Sequence, residues 1–323
     1  MLYSYARSTR SYLKKTFEPN FCVGPSFQVL EILEYVCGLK LGPALNLGPN
    51  PFFEMASSLI ETPSKKGDVL LKSSFVHIGG IGPKTEQRLW QSGIETWDKF
   101  TGDIPVRFST GRRTAIDKAL AVSQSHLMNG DPGFFEQGLP SSQHWRLFPD
   151  FRESTAYLDI ETTGMTYTAN PITTIAVYDG TRVKTYVQGR NLDRFSDDIG
   201  RYQVLVTYNG KCFDIPFLER YFNTPLNHVH IDLRFVLASL GIKGGLKGCE
   251  KQLGIDRGPL NDVDGLFAVL LWKAHVRSGD PMALETLLAY NVEDTLNLEY
   301  LMVKAYNLKL EQTPFDDRYA LPV

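Results

Sequence analysis

From residue 155 onward, short β-rich runs alternate with helical stretches, and this order restricts the fold more than any other feature of the chain. Residues 155–161 (TAYLDIE) read as a strand. Residues 172–180 (ITTIAVYDG) and 181–189 (TRVKTYVQG) read as two strands meeting at the Asp179-Gly180 turn, and they pair naturally as a hairpin. Residues 204–210 (VLVTYNG) form a fourth expected strand, followed by a helix through FDIPFLERYF, and HIDLR at 230–234 starts another element. Further helices are expected near 246–253, 263–277 and 282–305. Strands first, with helices threaded between them, predict an α/β sheet covered by helices.

The chain upstream reads differently. Residues 1–66 begin with a Ser/Tyr-rich stretch carrying Arg7, Arg10, Lys14 and Lys15 before the first acid, Glu18. That suits a transit peptide or a basic arm. A Gly/Pro-punctuated loop follows, and the segment is expected to be a poorly structured extension; translation beginning at Met55 would make it artificial. Residues 67–129 read as a small helical module. Gly79, Gly80 and Gly82 interrupt two apolar stretches, and Pro83 opens a helix with Leu89 and Trp90 facing inward. Residues 130–145 (NGDPGFFEQGLPSSQH) carry turn signals and read as a linker, which places the domain boundary there. The α/β domain then occupies 146–310, with a C-terminal tail at 311–323.

Composition excludes several classes. Of 323 residues, 43% are apolar and 22% charged, which argues against a mostly disordered chain and a coiled coil. Thirty-four basic and 36 acidic residues give a net charge of −2, so only a locally basic nucleic-acid surface is compatible. Cys22, Cys37, Cys212 and Cys249 form no CxxC pair. That excludes a thiolate zinc module and a disulfide framework and fits a reducing, cytoplasmic setting. No uncharged apolar run is long enough to span a membrane.

The chemistry lies in acids at strand ends. Asp159 and Glu161 flank Ile160, and positions i and i+2 of a strand point to one face. Two such carboxylates repel unless a cation sits between them. Asp214 follows the strand VLVTY and the Asn209-Gly210 turn. Asp294 lies on the last long helix, with Tyr290 one turn earlier on the same face. Four carboxylates are sufficient to hold two Mg²⁺ or Mn²⁺ ions, which together clamp the attacking and leaving oxygens of a phosphodiester. A phenol beside them could orient a water or accept its proton. Singly, each acid has an ordinary reading too: a solvated strand edge, an N-cap or a surface charge.

Three motifs occur in order: D-I-E-T-T-G on a strand, Y-N-G-x-x-F-D after a strand and Y-N-x-x-D on a helix. In combination they resemble the DEDD superfamily of ribonuclease H-like 3′–5′ exonucleases in its tyrosine form, and the YprB-like group most. The resemblance covers about residues 70–305. It implies a ribonuclease H-like mixed sheet flanked by helices and preceded by the small helical module. It implies that Asp159, Glu161, Asp214 and Asp294 are metal ligands for two ions and that Tyr290 positions the water. Thr163, Asn209 and Phe213 are then expected beside the substrate, a single strand or 3′ end of nucleic acid. No small-molecule cofactor or membrane partner is implied.

IGGIGPKTEQRL resembles a helix-hairpin-helix, whose turn offers backbone amides to a phosphate. Gly80, Gly82 and Lys84 would make that contact; the same glycines could equally serve a packing turn. Arg107, Arg112, Arg113 and Lys118 could extend a basic face or form a solvated one. In GIKGGLKGCEKQLGI, Lys247 could touch a phosphate or belong to an ordinary capped helix with Leu246, Cys249 and Leu253 as its apolar stripe. Asp232, Asp262 and Asp264 are acids near the motifs, and Asp262 or Asp264 suits the N-cap of the helix after them. His228 and His230 are too weakly patterned for a metal site. Two other readings of the chain are a non-catalytic nucleic-acid-binding scaffold, against which the intact quartet argues, and a structure-specific endonuclease. An unrelated α/β fold would not account for three motifs in order.

Overall fold

The computed structural model describes residues 70–102, 104–166, 168–255 and 265–323. The expected extension 1–66, with Cys22, Cys37 and Met55, and the proposed capping acids Asp262 and Asp264 lie outside these residues.

Five strands form one mixed sheet: β1 (Thr155–Thr162), β2 (Ile172–Tyr178), β3 (Val183–Val187), β4 (Val204–Thr207) and β5 (Val229–Asp232). Their order is β3-β2-β1-β4-β5. The Asp179-Gly180 hairpin forms as expected, with β2 antiparallel to both β1 and β3, whereas β4 and β5 extend the sheet in parallel from β1. Gly180 adopts φ +87°, and the Asp179 carboxylate accepts from the N–H groups of Thr181 and Arg182, closing the turn.

Strand periodicity divides the core in two. Ala156, Leu158 and Ile160 pack on one face with Ile175, Val177, Phe217 and Leu218. Tyr157 points to the other face, with Ala176 and Tyr178, where the long helix brings Val292, Leu296 and Met302. Asp159 and Glu161 continue the Tyr157 row and therefore point toward that helix.

The α-helices of six or more residues, among those described, are α1 (Pro83–Gln91), α2 (Thr110–Met128), α3 (Pro132–Gly138), α4 (Asp214–Phe222), α5 (Leu233–Ala238), α6 (Gly245–Gln252), α7 (Gly265–Ser278) and α8 (Pro281–Leu310). Asp280 caps α8 by accepting from the Met282 amide. In α1, Pro83 occupies the first turn and Leu89 is fully buried.

The stretch 130–145 is not the linker its turn residues suggested. Asp131 caps α3 through the amides of Gly133 and Phe134, and residues Ser141–Leu147 form a 3₁₀ segment. Phe135 and Trp145 are fully buried, and Glu136 accepts from the backbone N–H of His230 in β5. The core of the helical region therefore runs without a break into the sheet: Phe75, Leu89, Trp97, Phe135 and Trp145 belong to the same apolar cluster as Val206 and Ile231. The Glu86–Arg146 pair reinforces this join. Both side chains are buried, at 2.8 Å, and Glu86 also accepts from the amides of Phe75 and Val76. The C-terminal tail docks as well: Phe315 is buried against Trp90.

Candidate active site

At the C-terminal end of β1 three carboxylates converge. One oxygen from each of Asp159, Glu161 and Asp294 lies within 4.8 Å of the others. β1 supplies the first two by its alternation, and α8 crosses above them to supply the third. A bulge between Glu161 and Thr162 breaks the β1–β2 register just beyond the acids. Thr173 donates its hydroxyl to the Glu161 carbonyl across that irregularity.

Burial and mutual repulsion dominate the electrostatics. Desolvation pushes the Asp159 carboxyl well above its ordinary value, with Asp294, Glu161 and Asp214 adding like-charge repulsion. Glu161 is raised by burial and by Asp294 and Asp214, while Lys247 pulls it back. Asp214, at the start of α4, is raised to about 7, chiefly by burial; its own amide and that of Ile160 oppose this by hydrogen bonding to it. All four acids thus share one electrostatic site. Its donors are hard carboxylate oxygens with no thiolate or imidazole in the cluster, a set that fits hard divalent cations.

Two side chains on α8 complete the site. Asn291 is fully buried and donates from Nδ2 to the Asp159 carboxylate at 2.6 Å and to its backbone carbonyl at 3.2 Å. That fixes one Asp159 oxygen in place. Tyr290 is buried beside it, with the Lys247 Nζ 5.5 Å from its ring centroid. Lys247 on α6 thus lies at this site. The Leu246, Cys249 and Leu253 stripe of that helix packs on the core, as expected.

The turn before Asp214 is built with similar care. Asn209 adopts φ +65°, a left-handed conformation that Asn tolerates. A methyl group on Gly210 would overlap the Thr207 side chain, so only glycine fits there. Asp232 accepts from the amides of Asn209 (2.8 Å), Lys211 (3.1 Å) and Arg234 (3.0 Å), capping α5 and stapling the turn to β5. The Asn209 side chain accepts from Arg234. Phe213 packs on Phe217 in the second core cluster, and the Thr163 amide donates to the Pro171 carbonyl.

Gly80, Gly82 and Lys84 are exposed in the turn that opens α1. Their described neighbour is Arg112, which donates to the Gly79 carbonyl and lies where a Gly80 side chain would go. With φ +78°, Gly80 is required by this turn whether or not a phosphate binds. Arg113 stacks over Phe100 instead of extending a free basic face. His228 and His230 are engaged with the Ile199 carbonyl and the Thr207 hydroxyl.

Sequence reasoning passed over Asn291 and gave Asp232 and Arg234 no role. Asn291 carried a signal: it precedes Asp294 by three residues, on the same helical face. For Asp232 the signal was only its place at a strand-to-helix junction, an N-cap context.

Residues 156–306 match the family model described as the RNase_H superfamily (RNase_H_2). This segment is a ribonuclease H-like domain. No curated protein matches the chain. Among solved structures, the chain is similar to a family B DNA polymerase from Pyrobaculum calidifontis, at 19% identity and TM-score 0.38. That match covers 52% of this chain and 27% of the polymerase. It is also similar to NrnC from Brucella melitensis, at 18% identity and TM-score 0.35, covering 51% of this chain and 78% of that one. The chain thus spans about a quarter of the polymerase's length. No described helix is long and apolar enough to cross a membrane.

Proposed function

We propose that this protein is a divalent-metal-dependent 3′–5′ exonuclease acting on nucleic acid, of the tyrosine-type DEDD class and nearest the YprB-like group. The observation that carries the reading is the convergence of Asp159, Glu161 and Asp294 within 4.8 Å, with Asp214 in the same electrostatic site. Bare, the cluster raises its own carboxyl pKa values; with cations it becomes a site for phosphodiester chemistry. Asp159, Glu161, Asp214 and Asp294 would hold two Mg²⁺ or Mn²⁺ ions. When bound, these supply Lewis-acid stabilisation of the phosphodiester and activation of water.

The chain's own residues do the remaining work. Asn291 holds Asp159 in one orientation. Tyr290, one helical turn before Asp294, would orient the attacking water with its phenol. Lys247, beside the Tyr290 ring, adds a positive charge that favours an approaching phosphate. Asn209, Phe213 and Thr163 flank the approach of the strand. The turn at Gly80 and Gly82, with Lys84, would grip a backbone phosphate at a distance from the cleavage site, in the manner of a helix-hairpin-helix. What supports that grip is the exposure of these residues at the start of α1.

The test uses purified protein with Mg²⁺ or Mn²⁺ and 5′-labelled single-stranded DNA and RNA, alongside Asp159→Ala. The expected result is a ladder shortening from the 3′ end and lost in the variant. Internal cuts lost in the variant would replace the exonuclease with an endonuclease. Undiminished cutting by Asp159→Ala would remove the metal-site assignment, and no cutting with no Mn²⁺ binding would leave a binding scaffold.

A further inference from the structure

Two cations border the turn that leads into Asp214, and they are treated differently. Lys211 is paired with Glu136, at 3.4 Å. Arg234, the second residue of α5, is exposed, and among the described residues it forms no ion pair. It is nevertheless held in place. Its backbone N–H donates to Asp232 at 3.0 Å, and its Nη1 donates to the Asn209 Oδ1 at 2.6 Å. Asp232 also holds the amides of Asn209 and Lys211, so the turn and the start of α5 form one rigid unit.

The choice of partner is informative. Asn209 fixes the guanidinium through a neutral amide oxygen. A carboxylate there would hold it as well and would cancel its charge. The arrangement orders an arginine, which otherwise loses side-chain entropy on binding, while leaving its positive charge uncompensated. Of five N–H donors, Asn209 occupies one, and a planar fork with donors to spare suits a phosphate. The left-handed backbone at Asn209 restricts the position to residues such as Asn, Asp and Gly, and of these only Asn supplies a neutral acceptor.

We propose that Arg234 binds a backbone phosphate of the nucleic-acid strand entering the carboxylate site, and that Asn209 is its positioning residue. This rests on the nuclease reading above. It also gives Asn209 a different task from the one the sequence suggested: its side chain serves the substrate through Arg234.

The test is equilibrium binding of a short 5′-fluorescein single-stranded DNA to the full chain in EDTA, where no cleavage occurs, between about 50 and about 200 mM NaCl. Arg234→Gln should weaken binding and lower the slope of log K against log salt by about 0.7, the value for one phosphate contact on a single strand. Arg234→Lys should retain the slope. Asn209→Asp, which keeps the acceptor and the backbone conformation, should lose the slope as Arg234→Gln does, because its carboxylate cancels the charge. A merely structural Asn209 would tolerate that isosteric change. If the wild type binds and Arg234→Gln matches it in affinity and slope, the proposal falls while the nuclease reading stands. If Asn209→Asp keeps the wild-type slope, the positioning role falls. If the wild type binds no oligonucleotide at all, the proposal falls, and the nuclease reading is decided separately by the cleavage assay in Mn²⁺.

Discussion

Asp214→Asn should make the metal-free protein more stable. The reasoning starts from burial: Asp214 is 4% exposed, and its carboxyl is raised from 3.8 to about 7. One pH unit corresponds to ~1.4 kcal/mol, so keeping this group charged in the fold costs on the order of 4 kcal/mol. That is a ceiling, because asparagine offers one carbonyl oxygen where the carboxylate offers two to the amides of Asp214 and Ile160. A gain of about 2 kcal/mol is expected, or a rise in Tm of roughly 4–8 °C near pH 8 in EDTA. The pH dependence follows with a definite sign. The folded value lies above the unfolded one, so the stability from protonating Asp214 is complete below 3.8 and is lost as pH rises through about 7. Between about pH 8 and 6.5 the wild type should gain about 0.8 kcal/mol from this group on acidification, and the variant should lack that increment. The window stops there because buried His77 and His230, lowered to about 4 and about 3, lose stability as pH falls below 6.5. Saturating Mn²⁺ should reverse the order, stabilising the wild type far more than the variant. Thermal melts in EDTA and in Mn²⁺ decide it. A variant melting at or below the wild type in EDTA, with the same pH slope, would refute the account of Asp214 as a carboxyl that burial holds above its ordinary value.

Asn291→Leu removes the 2.6 Å hydrogen bond to Asp159 and should weaken Mn²⁺ binding about 10–100-fold by calorimetric titration; unchanged affinity would show that Asp159 needs no such support. Glu86→Ala leaves Arg146 buried without its partner and the amides of Phe75 and Val76 unsatisfied. Urea unfolding should show a loss of about 3–5 kcal/mol, and a loss below about 1 kcal/mol would mean the pair does not join the helical region to the sheet.

Much of the fold was legible because it depends on short-range periodicity. The Asp179-Gly180 hairpin, the strand before Asn209 and the long helix carrying Tyr290 and Asp294 all appear where turn residues and apolar spacing place them. The 130–145 stretch was misread for a related reason. Its Gly, Pro and Ser residues specify turns and helix ends, and these are equally compatible with a linker and with a packed connector. What distinguishes the two is whether Phe135 and Trp145 meet a surface to bury against, which composition does not encode.

The chain sequence by itself determined that Asp159 and Glu161 share one strand face and that Tyr290 and Asp294 share one helical face, because those relations follow from backbone geometry over four residues or fewer. Only the tertiary structure decided that the two faces meet. β4 had to insert beside β1 in parallel for Asp214 to reach the Ile160 amide, and α8 had to cross β1 for Asn291 to reach Asp159 across 132 positions of chain. Likewise, Arg234 acquires its place beside Asn209 through the buried Asp232, whose bonds to the Asn209 and Lys211 amides exist only once β5 lies against β4. Local spacing sets which side chains travel together; burial of the two apolar faces of the sheet sets which of those sets are brought into contact.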